Sequence, residues 1–171
     1  PFSLEPTEPN LSFLFQFIRL LLVKGGAHLS PEDEDAVDKS IRRMYLLAPT
    51  VRRLKNMALA PHLQRYLTKW TEGGAYGKVF DNIHDSLRLA RIQSFDFQDV
   101  TDNEQDLIEP MLFWILRQIN QVIYDPANLD YPKHILFDEL WKHLKTRTLL
   151  ESAINSLKTG GKHLAGVTLL T

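Results

Sequence analysis

His134-Ile135-Leu136-Phe137-Asp138-Glu139-Leu140-Trp141-Lys142-His143-Leu144 is the stretch that decides how the rest of the chain reads. A short apolar run, Ile135 to Phe137, stops at two adjacent acids, Asp138 and Glu139. Apolar runs of this length, bounded by turn signals, predict a strand buried on both faces of a parallel sheet. Carboxylates at the carboxyl end of such a strand sit where open α/β sheets bind ligands.

The residue types narrow the chemistry. In P-loop NTPases an acid at this place helps to hold Mg²⁺. A Glu directly after it is placed to polarise a water for attack on a γ-phosphate. The pair therefore reads as a Walker B motif of the Asp-Glu type. On these residues alone a second reading stays open: a buried strand running into a helix N-terminus, where the helix dipole favours acids.

Working outward, the second half of the chain alternates. Ser94-Phe95-Asp96-Phe97-Gln98 is a strand candidate. Thr101 to Glu104 form a capping box before a long helix reaching about Tyr124, with Leu107, Met111, Leu112, Ile115, Ile119, Val122 and Ile123 apolar and Pro110 in its first turns or at a kink. A loop over 125–132 leads into the strand at 134–138, a helix follows over 147–159, and residues 165–170 read as a last strand. Strand, helix, strand, helix, strand means a parallel sheet with crossover helices.

The first half reads as helices. Asn10 is a cap for a helix over 11–24 that Gly25-Gly26 stops. Ser30-Pro31-Glu32-Asp33 supplies an N-cap, a Pro at the first helical position and an acid at the third. The next helix puts Val37, Ile41, Met44, Tyr45 and Ala48 on one face. Thr50 caps a short helix to Asn56, and Pro61 starts another with Leu63, Tyr66, Leu67 and Trp70 in register. The expected organisation is α/β: a helical subdomain over 1–92 and a partial parallel-sheet core over 93–171.

Composition excludes several classes. The 171 residues are 44% hydrophobic and 24% charged, as in an ordinary globular protein able to bury a core. A net charge of −1 gives no global field for nucleic acid or membrane. The absence of cysteine excludes disulfides and thiolate metal sites and fits a reducing compartment. The first ten residues lack the basic start of a signal peptide. Leu11 to Val23, the most apolar segment, is short for a membrane span and carries Gln16 and Arg19 on one stripe, so it predicts a buried helix of a soluble protein.

Three landmarks carry a resemblance. Trp70-Thr71-Glu72-Gly73-Gly74-Ala75-Tyr76-Gly77 with Phe80-Asp81-Asn82, then Ile135 to Trp141, then Leu157-Lys158-Thr159 through Gly166-Val167-Thr168-Leu169-Leu170-Thr171 come in the order and spacing found in conjugative-transfer and type IV secretion ATPases. The chain resembles this TrbE/CagE-like group, a branch of hexameric RecA-like motors. The match spans 70–171 closely and 1–69 loosely. It implies an internal part of a RecA-like P-loop ATPase domain with ATP and Mg²⁺ as cofactors. It also implies Asp138 on Mg²⁺ through water, Glu139 as the catalytic residue and Thr171 opening a sensor motif. The implied partners are a homo-hexamer, secretion-apparatus components at the inner membrane and a DNA or protein substrate. The implied location is cytoplasmic, peripheral to the bacterial inner membrane. The implied sheet order is 94–98, 134–138, 165–170, all parallel, with the P-loop strand beyond the last.

The chain departs from the pattern in two places. No G-x-x-x-x-G-K-[ST] occurs in these residues, so ATP binding by the chain alone is expected to be weak, and strand 165–170 is expected to present an edge open to pairing. Gly161 stands where the group carries an Arg. These departures support an alternative: a non-catalytic helical docking module that keeps a motor-derived fold.

The remaining candidates are weaker. His28, His62, His84, His134, His143 and His163 show no metal-ligand spacing. His134 and His143 bracket the acid pair, where surface or capping roles are favoured over a supporting one. Arg42, Arg43, Arg52, Arg53, Lys55, Arg65 and Lys69 are basic; a solvated helix face balanced by acids 32–38 is favoured over contact with DNA or a partner. Phe13, Phe15 and Phe17 read as core rather than as a platform for bases.

Overall fold

The computed structural model describes residues 1–85, 87, 89–97, 100, 105–138 and 164–170. The chain divides into two compact units, Pro1–Arg88 and Leu89–Thr171. The first is helical and the second contains a parallel strand pair.

In the first unit, α1 spans Glu8–Lys24. Thr7, not Asn10, is its N-cap, with its hydroxyl accepting from the Asn10 amide at 3.4 Å. Pro9 explains the earlier start. Its missing N–H costs nothing in the first turn, and Glu8 there suits the dipole. The helix buries Leu14, Phe17, Ile18, Leu21 and Leu22 completely. Its polar stripe is used: the Arg19 Nε donates to Glu34 Oε1 on the next helix at 2.7 Å.

That helix, α2, spans Pro31–Met44 and opens with the full capping box of Ser30 and Asp33. It turns inward Val37, Ile41 and Met44, but it stops before Tyr45 and Ala48. The carbonyls of Arg42, Arg43 and Met44 are taken by the amides of Tyr45, Leu46 and Leu47, three residues on, so the helix tightens and ends. Beyond that end, the Arg52 guanidinium donates to the Leu47 and Tyr45 carbonyls at 3.0 and 3.1 Å as the chain turns away. The predicted helix over 50–56 is instead two 3-10 turns, Pro49–Val51 and Leu54–Asn56. The third helix, α3, covers Pro61–Leu67, runs on into a 3-10 turn, Thr68–Trp70, and buries Leu63, Leu67 and Trp70 as the spacing requires. A single turn, α4, at Gly77–Phe80 closes the unit.

Three surface carboxylates of this unit are held below their ordinary range. The Lys55 ammonium and then Arg53 act on Glu72, the Ser30 amide and then His62 act on Asp33, and Arg42 acts on Glu8. A depressed folded value contributes stability that is complete above the unfolded value and lost as pH falls through the folded one. The share of stability that these three carboxylates contribute is therefore expected to be intact from about pH 7 to about pH 5 and lost below about pH 4. Urea midpoints across that range check this, and a midpoint unchanged at acid pH would refute it.

In the second unit, α5 spans Gln105–Tyr124. The predicted capping box at 101–104 lies outside the described residues. Pro110 is accommodated in the second turn. The buried stripe is Ile108, Leu112, Ile115, Leu116 and Ile123, while Val122 is exposed, a small rotation from the predicted face. No helix among the described residues is long and apolar enough to cross a membrane.

Two strands follow, β1 at Lys133–Asp138 and β2 at Ala165–Leu170. They pair in parallel, Lys133 with Ala165 through Asp138 with Leu170. The strand expected at 94–98 is absent: 94–97 take no regular structure, and Gln98 lies outside the described residues. Alternating Phe95 and Phe97 are not enough, because a strand exists only when a neighbour takes up its amides and carbonyls. The helix predicted over 147–159 also lies outside the described residues.

Candidate functional site

Asp138 is the last residue of β1 and lies opposite Leu170, the last of β2. Both strands point the same way, so their carboxyl ends form one edge, and Asp138 stands exposed on it. Glu139, Thr171, Gly161 and His143 lie outside the described residues. Strand β1 is not buried on both faces as its apolar run predicts. Burial alternates, with Lys133, Ile135 and Phe137 half-buried and His134, Leu136 and Asp138 exposed. This is the period-two signature of a sheet with one covered face.

Among the described residues Asp138 is the carboxylate at this edge. Among the described residues no group of three or more His, Cys, Asp or Glu could hold a metal by itself. Magnesium keeps several waters and takes one or two carboxylates together with substrate phosphates. An exposed carboxylate such as Asp138 suits that arrangement.

The landmark around Trp70 forms the keystone of the helical unit. Trp70 is fully buried; its indole N–H donates to the Leu21 carbonyl at 2.8 Å. Tyr76 and Phe80 flank it at ring distances of 5.1 and 5.5 Å, and Phe80 meets Phe17 at 5.8 Å. Gly77 has no room for a side chain, since a Cβ would lie 2.1 Å from the Thr71 carbonyl oxygen. Asp81 is wholly buried and joins distant segments. Its carboxylate accepts from the Glu72 amide at 2.8 Å and the Lys55 amide at 3.3 Å. Its carbonyl accepts two bonds from Arg53, at 3.0 and 2.7 Å. All of these contacts are made within the helical unit.

Six of the basic side chains, Arg42, Arg52, Arg53, Lys55, Arg65 and Lys69, also make contacts inside the unit. Arg42 pairs with Glu8 and Asp38, and Lys55 donates to Glu72. Arg65 lies over the Tyr66 ring, and Lys69 reaches the Lys24 carbonyl at 2.5 Å. This favours the structural reading of the basic residues, with the balancing acids drawn also from Glu8, Glu72 and Asp81. Phe17 is core, as read, with Phe13 stacked on it at 6.1 Å.

One feature of the sheet had no expectation behind it. The His134 ring nitrogen Nε2 lies 3.1 Å from the Thr168 hydroxyl across the strand pair. Only the parallel register reveals it; in sequence the two residues are 34 apart.

Set beside known proteins, the chain is 27% identical over 164 residues to the type IV secretion system protein VirB4 of Bartonella henselae, which covers 92% of this chain. It is 26% identical over 178 residues to VirB4 of Brucella suis, covering 93% of it. The chain is thus similar over most of its length to VirB4 proteins of type IV secretion systems. The conjugal transfer protein TrbE of Rhizobium radiobacter is 22% identical over 170 residues, covering 96% of the chain. The chain spans about a fifth of the length of these relatives. No family model matches it.

Proposed function

We propose that the chain is part of an ATP-hydrolysing motor that energises a type IV secretion or conjugative DNA-transfer apparatus. The observation that carries this reading is the placement of Asp138 at the carboxyl edge of a parallel strand pair, within a sequence related to VirB4 and TrbE over most of its length. The fold proposed for the longer protein is a RecA-like P-loop domain. Its nucleotide would bring the phosphates and Mg²⁺ that Asp138 alone does not supply.

In this reading Asp138 holds the magnesium's water shell by charge, Glu139 orients and deprotonates the attacking water, and Thr171 opens the sensor motif on the neighbouring strand. The bound Mg·ATP supplies the transferable phosphoryl group. The partners proposed are five further copies in a hexamer, components of the apparatus at the inner membrane, and a DNA or protein substrate. The location proposed is the cytoplasmic side of that membrane.

A second reading is supported by two observations. Residues 1–88 form a compact unit with its own core, and no G-x-x-x-x-G-K-[ST] occurs in the chain. On that reading the chain is a helical docking module of motor descent.

Asp138→Asn in the longer protein separates the two. The change keeps the shape and removes the charge. Supporting groups around a metal typically account for roughly 10–100-fold in metal affinity. The Mg²⁺ concentration for half-maximal turnover is expected to rise by about that factor. An unchanged magnesium dependence would remove Asp138 from the site.

A further inference from the structure

We propose that His134, Gly166 and Thr168 form a clamp that fixes the register of the two strands, which makes His134 a positioning residue for Asp138. The clamp's functional meaning rests on the motor reading above; its existence does not.

Something must fix this register. Ile135, Phe137 and Val167 are half-buried, and in the register Ile135 pairs with Val167 and Phe137 with Leu169, a row of aliphatic and aromatic residue types. A slide by one residue would turn these side chains outward, so burial opposes it. A slide by two keeps every residue on its own face and exchanges one apolar neighbour for another. Burial discriminates poorly against that slide, and the exposed face, with Leu136 58% and Leu170 44% exposed, adds little. Yet a two-residue slide would move Asp138 from Leu170 to Thr168 or past the strand end, and the shared carboxyl edge would be lost.

The exposed face carries the discriminating contact. His134 pairs with Gly166, and Leu136 with Thr168. The imidazole lies over Gly166 so closely that a Cβ there would be 3.2 Å from Nδ1 and 3.7 Å from Cε1. It then reaches the Thr168 hydroxyl on the diagonal, within the range of long side chains on one face of a sheet. Three residue types are needed together: a ring long enough to cross, a glycine to pass over and a hydroxyl to receive it. Slid by two in one direction, His134 would face Leu164 and find no hydroxyl on its diagonal. Slid in the other, it would lie against the Thr168 side chain with Leu170 on its diagonal. Only the observed register satisfies the ring.

Amide hydrogen exchange on the 171-residue chain, without nucleotide, tests the clamp. His134→Ala and Thr168→Val should each speed exchange across 135–138 and 167–170 by about three- to tenfold, the weight of one solvent-accessible hydrogen bond. The double variant should be no worse than the more affected single, and His134→Gln should restore protection. Thr168→Val is close to isosteric, so it remains informative if His134→Ala disturbs folding. No change in either single variant, additive effects in the double, or no rescue by Gln would overturn the clamp. In the longer protein Thr168→Val should lower kcat about three- to tenfold at an unchanged KM for ATP. Exchange that responds while kcat does not would overturn the positioning role. Turnover that survives Glu139→Gln would count against the motor reading alone.

Discussion

On the proposed motor reading, Glu139→Gln in the longer protein is expected to stop nucleotide turnover while leaving nucleotide binding intact. Gln keeps the length and shape of Glu, so a bound nucleotide meets the same surface. It loses the basic lone pair, which is what a water needs if it is to surrender a proton while attacking phosphorus. General bases contribute typically 10²–10⁴-fold, and the loss in kcat should lie on that order. The contrast with Asp138→Asn is the informative part. One substitution should lower the maximal rate at any magnesium concentration; the other should shift the magnesium concentration required. Phosphate release measured against a magnesium series, with nucleotide affinity measured separately, distinguishes them. Hydrolysis at the normal rate by Glu139→Gln would take this residue out of the mechanism. Equal loss of binding and turnover would make it a binding group instead.

What could be read from the sequence divides along the range of the forces involved. The Ser30 and Asp33 capping box is a contact between residues three apart, and it forms as written. The apolar run at 135–137 ending in acids is likewise local, and β1 with Asp138 at its end follows. The parallel pairing of 134–138 with 165–170, implied by the family resemblance, is present, with β1 one residue longer at its start. The strand at 94–98 failed because its alternation is a statement about side chains, while strand formation depends on a partner elsewhere. Two-sided burial of β1 failed for a related reason: an apolar run fixes what a face would accept, not what covers it. Asp81 was legible only as one letter of a landmark. Its partners Glu72, Lys55 and Arg53 lie 9, 26 and 28 residues away, and no periodicity links them. The His134–Thr168 contact is hidden in the same way, because it depends on register.

The largest expected effect on stability is at Trp70. Trp70→Ala removes a fully buried indole from the junction of α1, α3 and α4, where Tyr76 and Phe80 pack on it. It also leaves the Leu21 carbonyl without its 2.8 Å indole donor. That carbonyl keeps the Gly25 amide at 2.9 Å, so the hydrogen-bond share of the loss is modest. The cavity dominates, and large aromatic truncations cost about 3–5 kcal/mol. Trp70→Phe fills most of the space and should cost nearer the ~1 kcal/mol of the lost bond, plus a small void. At 1.4 kcal/mol per factor of ten, the alanine variant should speed exchange of the most protected α1 amides on the order of a thousandfold. Gly77→Ala should destabilise the same unit by a different route. Its methyl would collide with the Thr71 carbonyl, a backbone atom that no rotamer change can move aside. Overpacking of this kind typically costs about 1–3 kcal/mol. If Trp70→Ala and Gly77→Ala instead left α1 protection unchanged, the segment from Trp70 to Asn82 would not be the keystone of the helical unit. Its resemblance to the secretion ATPases would then call for a functional explanation in place of the structural one.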